Sequence, residues 1–203
     1  MPRPATNVVA GLAANARGLS QYLGRVERLS AARQLPVVDV HRAYAGALLW
    51  YYVGLERTIQ EVFMGLLMGR LTVSRPSVRS LVTIRSESVA REVVRGNRPF
   101  VDWLPYSLTQ QRAEAFFSRG EPFCALTAQE IQRLEDIRVI RNALAHGGEH
   151  AITQFQRRFT IGLPLPPDQR RPAGYLRGQH GVGQTRFAHL LAQSLLVVNS
   201  IAR

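Results

Sequence analysis

A chain of 203 residues that is 46% apolar can form one good-sized domain with a packed core, or one domain with an extra arm. All 26 of its basic residues are arginine, set against 14 acidic ones. The formal charge of +12 favours an anionic partner such as RNA, DNA or an acidic surface. The single cysteine, Cys124, excludes an intrachain disulfide.

Met1-Pro2-Arg3-Pro4 has no apolar segment behind it, so no signal peptide is expected. Residues 5–33 read as an alanine-rich helix whose polar face carries Arg17, Gln21, Arg25 and Arg28, and Pro36 interrupts it. Asp39 is a candidate N-cap for a long second helix, His41 to about Arg70. That helix carries Leu48, Leu49, Trp50, Tyr52, Val53, Ile59, Phe63 and Leu67, as the central helix of a bundle would. Glu56, Arg57, Gln60 and Glu61 interrupt its apolar surface. The longest near-apolar run, Ala43 to Leu55, is too short to span a bilayer, so a soluble cytoplasmic protein without a membrane partner is expected.

Residues 71–85 mix β-branched side chains with Pro76 and read as a connector. Short helices are predicted at 87–95 and 108–118, the second with Ser107 and Gln110 as a capping box. Cys124, in Phe123-Cys124-Ala125-Leu126, reads as a small buried hydrophobe rather than a nucleophile. Thr127-Ala128-Gln129-Glu130 is a clearer capping box, starting a helix that runs to His146 and stops at Gly147-Gly148. Residues 148–184 hold seven glycines or prolines within 162–178. They read as a long loop with a short strand at 155–161. A last amphipathic helix spans Arg186 to Ala202. The expected organisation is an N-terminal helical arm, residues 1–38, and an all-α, up-down helical bundle, residues 39–203, with the long loop before its last helix.

The segment Arg141-Asn142-Ala143-Leu144-Ala145-His146 puts a permanent cation, an amide and a titratable imidazole on the last turns of one helix. Asn142 and His146 are four apart and share a face, near Glu135. Arg141 falls about 140° from His146 on an ideal helix, on the arc that faces other helices. A tight Arg141–His146 pair within one undistorted helix is therefore not expected. Either two copies of the helix pool their side chains around one cleft, or the last turn departs from the ideal. A purely structural role is also open: Arg141 capping carbonyls or pairing with a carboxylate such as Glu56, and His146 favouring a helix C-terminus.

Other motifs carry less. His146-Gly147-Gly148-Glu149-His150 matches H-x-x-E-H, but two glycines end the helix that zinc binding needs, so no metal and no cofactor is expected. Gly178 to Thr185 reads G-Q-H-G-V-G-Q-T and lacks the lysine of a P-loop, which leaves a flexible turn. His41, His180 and His189 read as structural or solvated. Trp50, Tyr51 and Tyr52 suit core or dimer packing better than base stacking. Arginines 157, 158, 170, 171 and 177 form a dispersed basic region able to follow an RNA backbone.

The run R-N-x-x-x-H-G at 141–147, ending a capped helix with a long helix before it and an apolar one after, resembles the HEPN ribonuclease superfamily. The resemblance implies an all-α bundle and a metal-independent endoribonuclease acting at a homodimer interface or in a higher oligomer. The 2′-hydroxyl attacks the adjacent phosphorus to leave a 2′,3′-cyclic phosphate. It implies catalytic roles for Arg141, Asn142 and His146, a toxin or antiviral-defence setting, and an antitoxin or defence-system partner. Gly148 stands where the subgroup paired with nucleotidyltransferase antitoxins has tyrosine, which argues against that partner. Arg138, Arg157 and Arg158 are further candidate substrate contacts, and Glu56 a candidate supporting residue. The alternative is a non-catalytic HEPN-like module that binds nucleic acid or protein.

Overall fold

The computed structural model describes residues 1–75 and 78–203; Pro76, expected in a connector, lies outside them. The fold is an all-α helical bundle. In chain order come β1 (Arg3–Pro4), α1 (Thr6–Ala31), α2 (Val37–Leu67), β2 (Leu71–Thr72), α3 (Glu87–Arg95), α4 (Tyr106–Phe116), α5 (Ala128–His146) and α6 (Glu149–Phe159). Then follow α7 (Pro172–Arg177), β3 (Gln179–Gly181), β4 (Gln184–Thr185) and α8 (Arg186–Ala202). Among the described residues no helix is long and apolar enough to cross a membrane.

The helix ends show which local signals prevail. Thr127 and Glu130 form the full capping box: the Thr127 N–H donates to Glu130 Oε2 at 2.9 Å, and the Glu130 N–H donates to Thr127 Oγ1 at 3.2 Å. Gly147 closes α5 at φ +60°, the left-handed conformation that costs a residue with a Cβ but not glycine. Asp39 is not the cap of α2. The Val40 N–H reaches Pro36 O at 3.2 Å, so the helix begins directly after the proline, and Asp39 sits in its first turn, paired with Arg42 at 2.8 Å. Ser107 and Gln110 form no capping box either, because Pro105 occupies the N-cap position of α4 and Ser107 is already helical.

The segment after Gly147 also departs from expectation. Residues 149–159 form α6, not a loop leading into a strand. Ile152, Phe155 and Phe159 recur at helical spacing, and the fully buried Phe155 anchors the turn. The glycines and prolines begin only at 162, beyond that helix. The G-Q-H-G-V-G-Q-T stretch forms a tight antiparallel hairpin of β3 and β4, with Gly183 at φ +75°.

The chain falls into two compact units. One comprises Met1–Ala13, Leu55–Glu135 and Ser194–Arg203. Its core centres on Phe63, whose ring lies 5.0 to 6.2 Å from Trp103, Phe116, Phe117 and Phe123. Each such pair adds about 0.5 to 1.5 kcal/mol beyond the area it buries. Cys124 is half-buried beside Gln110, and burial pushes its thiol up, consistent with a packing role.

The other unit comprises Ala14–Gly54 and Asp136–Gln193. Tyr44, Leu48 and Tyr51 of α2 are buried in it, with Phe187 set edge-on to Tyr44 at 5.8 Å. Arg177 grips Glu27 through two hydrogen bonds of 2.9 Å. Burial and the Glu27 carboxylate both push the Tyr44 hydroxyl up, so it stays a neutral donor to Glu27. Asp136 of α5 pairs with Arg158 of α6, and Phe155, Phe159 and Tyr175 form a ring cluster beside it. His180 stacks on His189 with ring centroids 3.5 Å apart.

Candidate functional site

The second unit holds the whole R-N-x-x-x-H run. Ile137, Ile140 and Ala143 fix the buried face of α5 in that unit's core, which leaves Arg141 and Asn142 half-buried and His146 exposed at the helix end. The backbone directions of Arg141 and His146 diverge as the helical angle requires. Their side chains nevertheless meet. Arg141 Nη1 donates to Asn142 Oδ1 at 2.9 Å and lies 3.3 Å from His146 Nε2. The expectation that one helix would keep these two apart is corrected: it weighed the directions of the Cβ bonds and neglected the reach of a guanidinium on a three-carbon stem.

Tyr52 of α2 completes the arrangement. It is 4% exposed, and the Arg141 guanidinium carbon lies 5.1 Å from the centre of its ring. The tyrosine face thus supports one side of the cation, a contact of about 0.5 to 2 kcal/mol according to its solvation. Sequence reasoning grouped Tyr52 with Trp50 and Tyr51 as packing residues. Tyr51 is buried, Tyr52 is buried and holds the arginine, and Trp50 is 68% exposed. The available signal was Tyr52's place on the central apolar helix; nothing in its spacing named Arg141 as its neighbour.

A guanidinium only donates, so the 3.3 Å approach of Arg141 Nη1 is a hydrogen bond in the tautomer that leaves Nε2 as the acceptor. Three residues beyond His146, α6 begins without a side-chain cap. Its first-turn N–H groups add donors to the same stretch of chain.

The other candidates fall in different places. Arg138 is half-buried one helical turn before Asn142. Arg158 is engaged by Asp136 and lies 5.8 Å from the Phe159 ring, whereas Arg157 is exposed. Glu56 is half-buried on α2 and belongs to the first unit. His150 sits on α6 with Gln154 Nε2 at 2.8 Å from its Nε2, so the two histidines of H-x-x-E-H lie on different helices. Among the described residues no group of three or more His, Cys, Asp or Glu side chains is placed to hold a metal ion. Two cavities, of about 540 and 250 Å³, belong to the first unit and take in none of Arg141, Asn142 or His146. The candidate site is an open surface at a helix end.

Comparison with protein-family models, curated proteins and solved structures finds no match for this chain. Its functional reading therefore rests on the side chains at the end of α5.

Proposed function

We propose that the chain is a metal-independent endoribonuclease of the HEPN type, acting as a homodimer or higher oligomer in a toxin or antiviral-defence setting. The observation that carries this reading is Arg141 Nη1 shared between Asn142 Oδ1 and His146 Nε2 at an exposed helix end. A cation, an amide and an imidazole within one cluster of side chains are the parts that ribose-assisted phosphodiester cleavage needs.

In this reading the incoming phosphate competes for the guanidinium. Arg141 turns from Nε2 to the non-bridging oxygens, where it stabilises the charge that develops on phosphorus. Nε2 is released and takes the proton of the 2′-hydroxyl. The 2′-oxygen bonds to phosphorus, the P–O5′ bond breaks, and the products are a 2′,3′-cyclic phosphate and a 5′-hydroxyl end. The leaving oxygen needs a proton, and a second copy's His146, brought alongside by a two-fold axis, supplies it. Asn142 holds Arg141 in reach before substrate arrives.

The test is incubation of a single-stranded oligoribonucleotide with the protein in EDTA, followed by analysis of the product ends. Cyclic phosphate formed by the parent and lost in His146→Ala supports the reading. Intact RNA with the parent, or equal cutting by both proteins, rejects it.

A further inference from the structure

We infer that the outer face of α1, carrying Arg17, Gln21, Arg25 and Arg28, is a backbone track for a single RNA strand; the choice of RNA as the anion rests on the ribonuclease reading above. At 100° per residue these four side chains fall within an arc of about 80° and span about 16 Å of helix axis. All four residues are exposed and belong to one unit. No hydrogen bond or ion pair engages the three guanidinium groups among the described residues. By contrast, the guanidinium groups of Arg42, Arg57, Arg70, Arg91, Arg95, Arg158 and Arg177 are each held by a carboxylate.

The acid that would have quenched this row is turned away from it. Glu27 is the only acidic residue in α1, and it is taken up by Nε and Nη2 of Arg177 and by the Tyr44 hydroxyl. Its helical position lies about 100° from that of Arg28. Glycines flank the row on both sides, at helical positions about 20° outside its arc. A side chain at Gly18 would meet nothing within 4 Å, and Gly24 leaves room for Arg28 Nη1 to fold back over it at 3.9 Å from a Cβ placed there.

Such a face fits a phosphodiester chain better than a protein. A protein interface needs an apolar centre, whereas here Tyr22 and Leu29, 41% and 45% exposed, lie only at the border of the arc. A strand needs several cations in a row with donors between them, and Gln21 supplies an amide between Arg17 and Arg25.

The test measures binding of a fluorescein-labelled 2′-O-methyl oligoribonucleotide, which cannot be cleaved because the attacking hydroxyl is blocked. Affinity is followed between about 50 and 200 mM salt for the full-length parent and for the triple variant Arg17→Gln, Arg25→Gln, Arg28→Gln. Each phosphate contact on a single strand contributes about 0.7 to the slope of log K against log salt, so the triple variant should lose about 2 from that slope. The corresponding triple lysine variant should keep it. Circular dichroism guards against misfolding and should show both variants as helical as the parent. Parallel slopes for parent and glutamine variant would overturn the track. So would a lysine variant as weak as the glutamine one. So would a glutamine variant that lost affinity for poly-glutamate alone, which would assign the face to an acidic protein. Cleavage plays no part in this measurement, so a ribonuclease that cuts without the track and a track on a protein that does not cut give different results.

Discussion

Arg141 Nη1 and His146 Nε2 lie 3.3 Å apart, five residues apart on one helix, with Asn142 Oδ1 2.9 Å from the same arginine nitrogen. The arginine is thus a shared donor, and Asn142 sets where it rests. Replacing Asn142 with Ala should leave cleavage measurable but reduced about tenfold, the effect of losing one net hydrogen bond of about 1 to 1.5 kcal/mol. Asn142→Asp should lose more, because a carboxylate holds the guanidinium away from substrate phosphate. Rates for the two variants against one oligoribonucleotide check the order. Asn142→Asp as active as the parent would contradict it.

Tyr52 supports Arg141 through its ring face, 5.1 Å from the guanidinium carbon. Tyr52→Phe should keep cleavage near the parent rate. Tyr52→Leu should lose about 0.5 to 1 kcal/mol of positioning, a two- to fivefold fall in rate. It should also lose stability, because the residue is buried. Assay well below the melting temperature of each variant separates the two effects. A phenylalanine variant as slow as the leucine one would show that the ring face is not what counts.

Gly147 terminates α5 at φ +60°, and a Cβ there would meet no atom within 4 Å. Gly147→Ala therefore costs only backbone strain, about 1 to 2 kcal/mol. Gly147→Asn should cost less, since asparagine tolerates that conformation. Urea denaturation of the three proteins checks the order, which would be upset if alanine matched glycine.

Glu130 supplies a pH signature. Desolvation raises its carboxyl, but hydrogen bonds from Ser200 and from the Thr127 backbone and side chain outweigh this, so the group titrates below its ordinary value. A carboxyl depressed in the folded state contributes stability above its unfolded pKa and loses it as pH falls through the folded one. The parent should therefore exceed Glu130→Gln in melting temperature at neutral pH, and the two should converge in acid. A gap that held constant with pH would remove Glu130 as the cause. Thr127→Ala, which strips the cap itself, should cost about 1 kcal/mol.

Glu27 and Arg177, both half-buried, meet at the buried Tyr44. Glu27→Ala leaves a half-buried cation and a buried hydroxyl without their acceptor, a loss of about 1.5 to 3 kcal/mol by urea denaturation. Glu27→Gln should recover part of it. Full stability in the alanine variant would show the pair to be incidental.

Helix starts and stops were the most legible part of the sequence, because they depend on chemistry within one turn. The Thr127–Glu130 box, the stop at Gly147 and the bounds of α3 and α8 were read correctly from neighbouring residues. Asp39 and Ser107 show the limit: each can cap a helix, but a proline just upstream had already set where the helix begins. α6 was hidden by its setting. Its own residues have helical spacing, yet the glycines and prolines after 162 coloured the reading of the whole segment. At the candidate site the sequence identified Arg141, Asn142 and His146 but not their contact, since helical angles place Cβ atoms and not the ends of long side chains. Tyr52 was out of reach for another reason: its meeting with Arg141 joins two helices far apart in sequence.

The most direct measurement is cleavage of a single-stranded oligoribonucleotide in EDTA by the parent, Arg141→Ala and His146→Ala, each first shown by circular dichroism to be helical. His146 is exposed and Arg141 is only half-buried, so both variants should fold. The account predicts that the parent leaves 2′,3′-cyclic phosphate ends and that both variants lose at least a hundredfold in rate, the loss expected for a general base or a charge-stabilising group. Equal cutting by all three proteins would contradict it, as would a parent that leaves the strand whole.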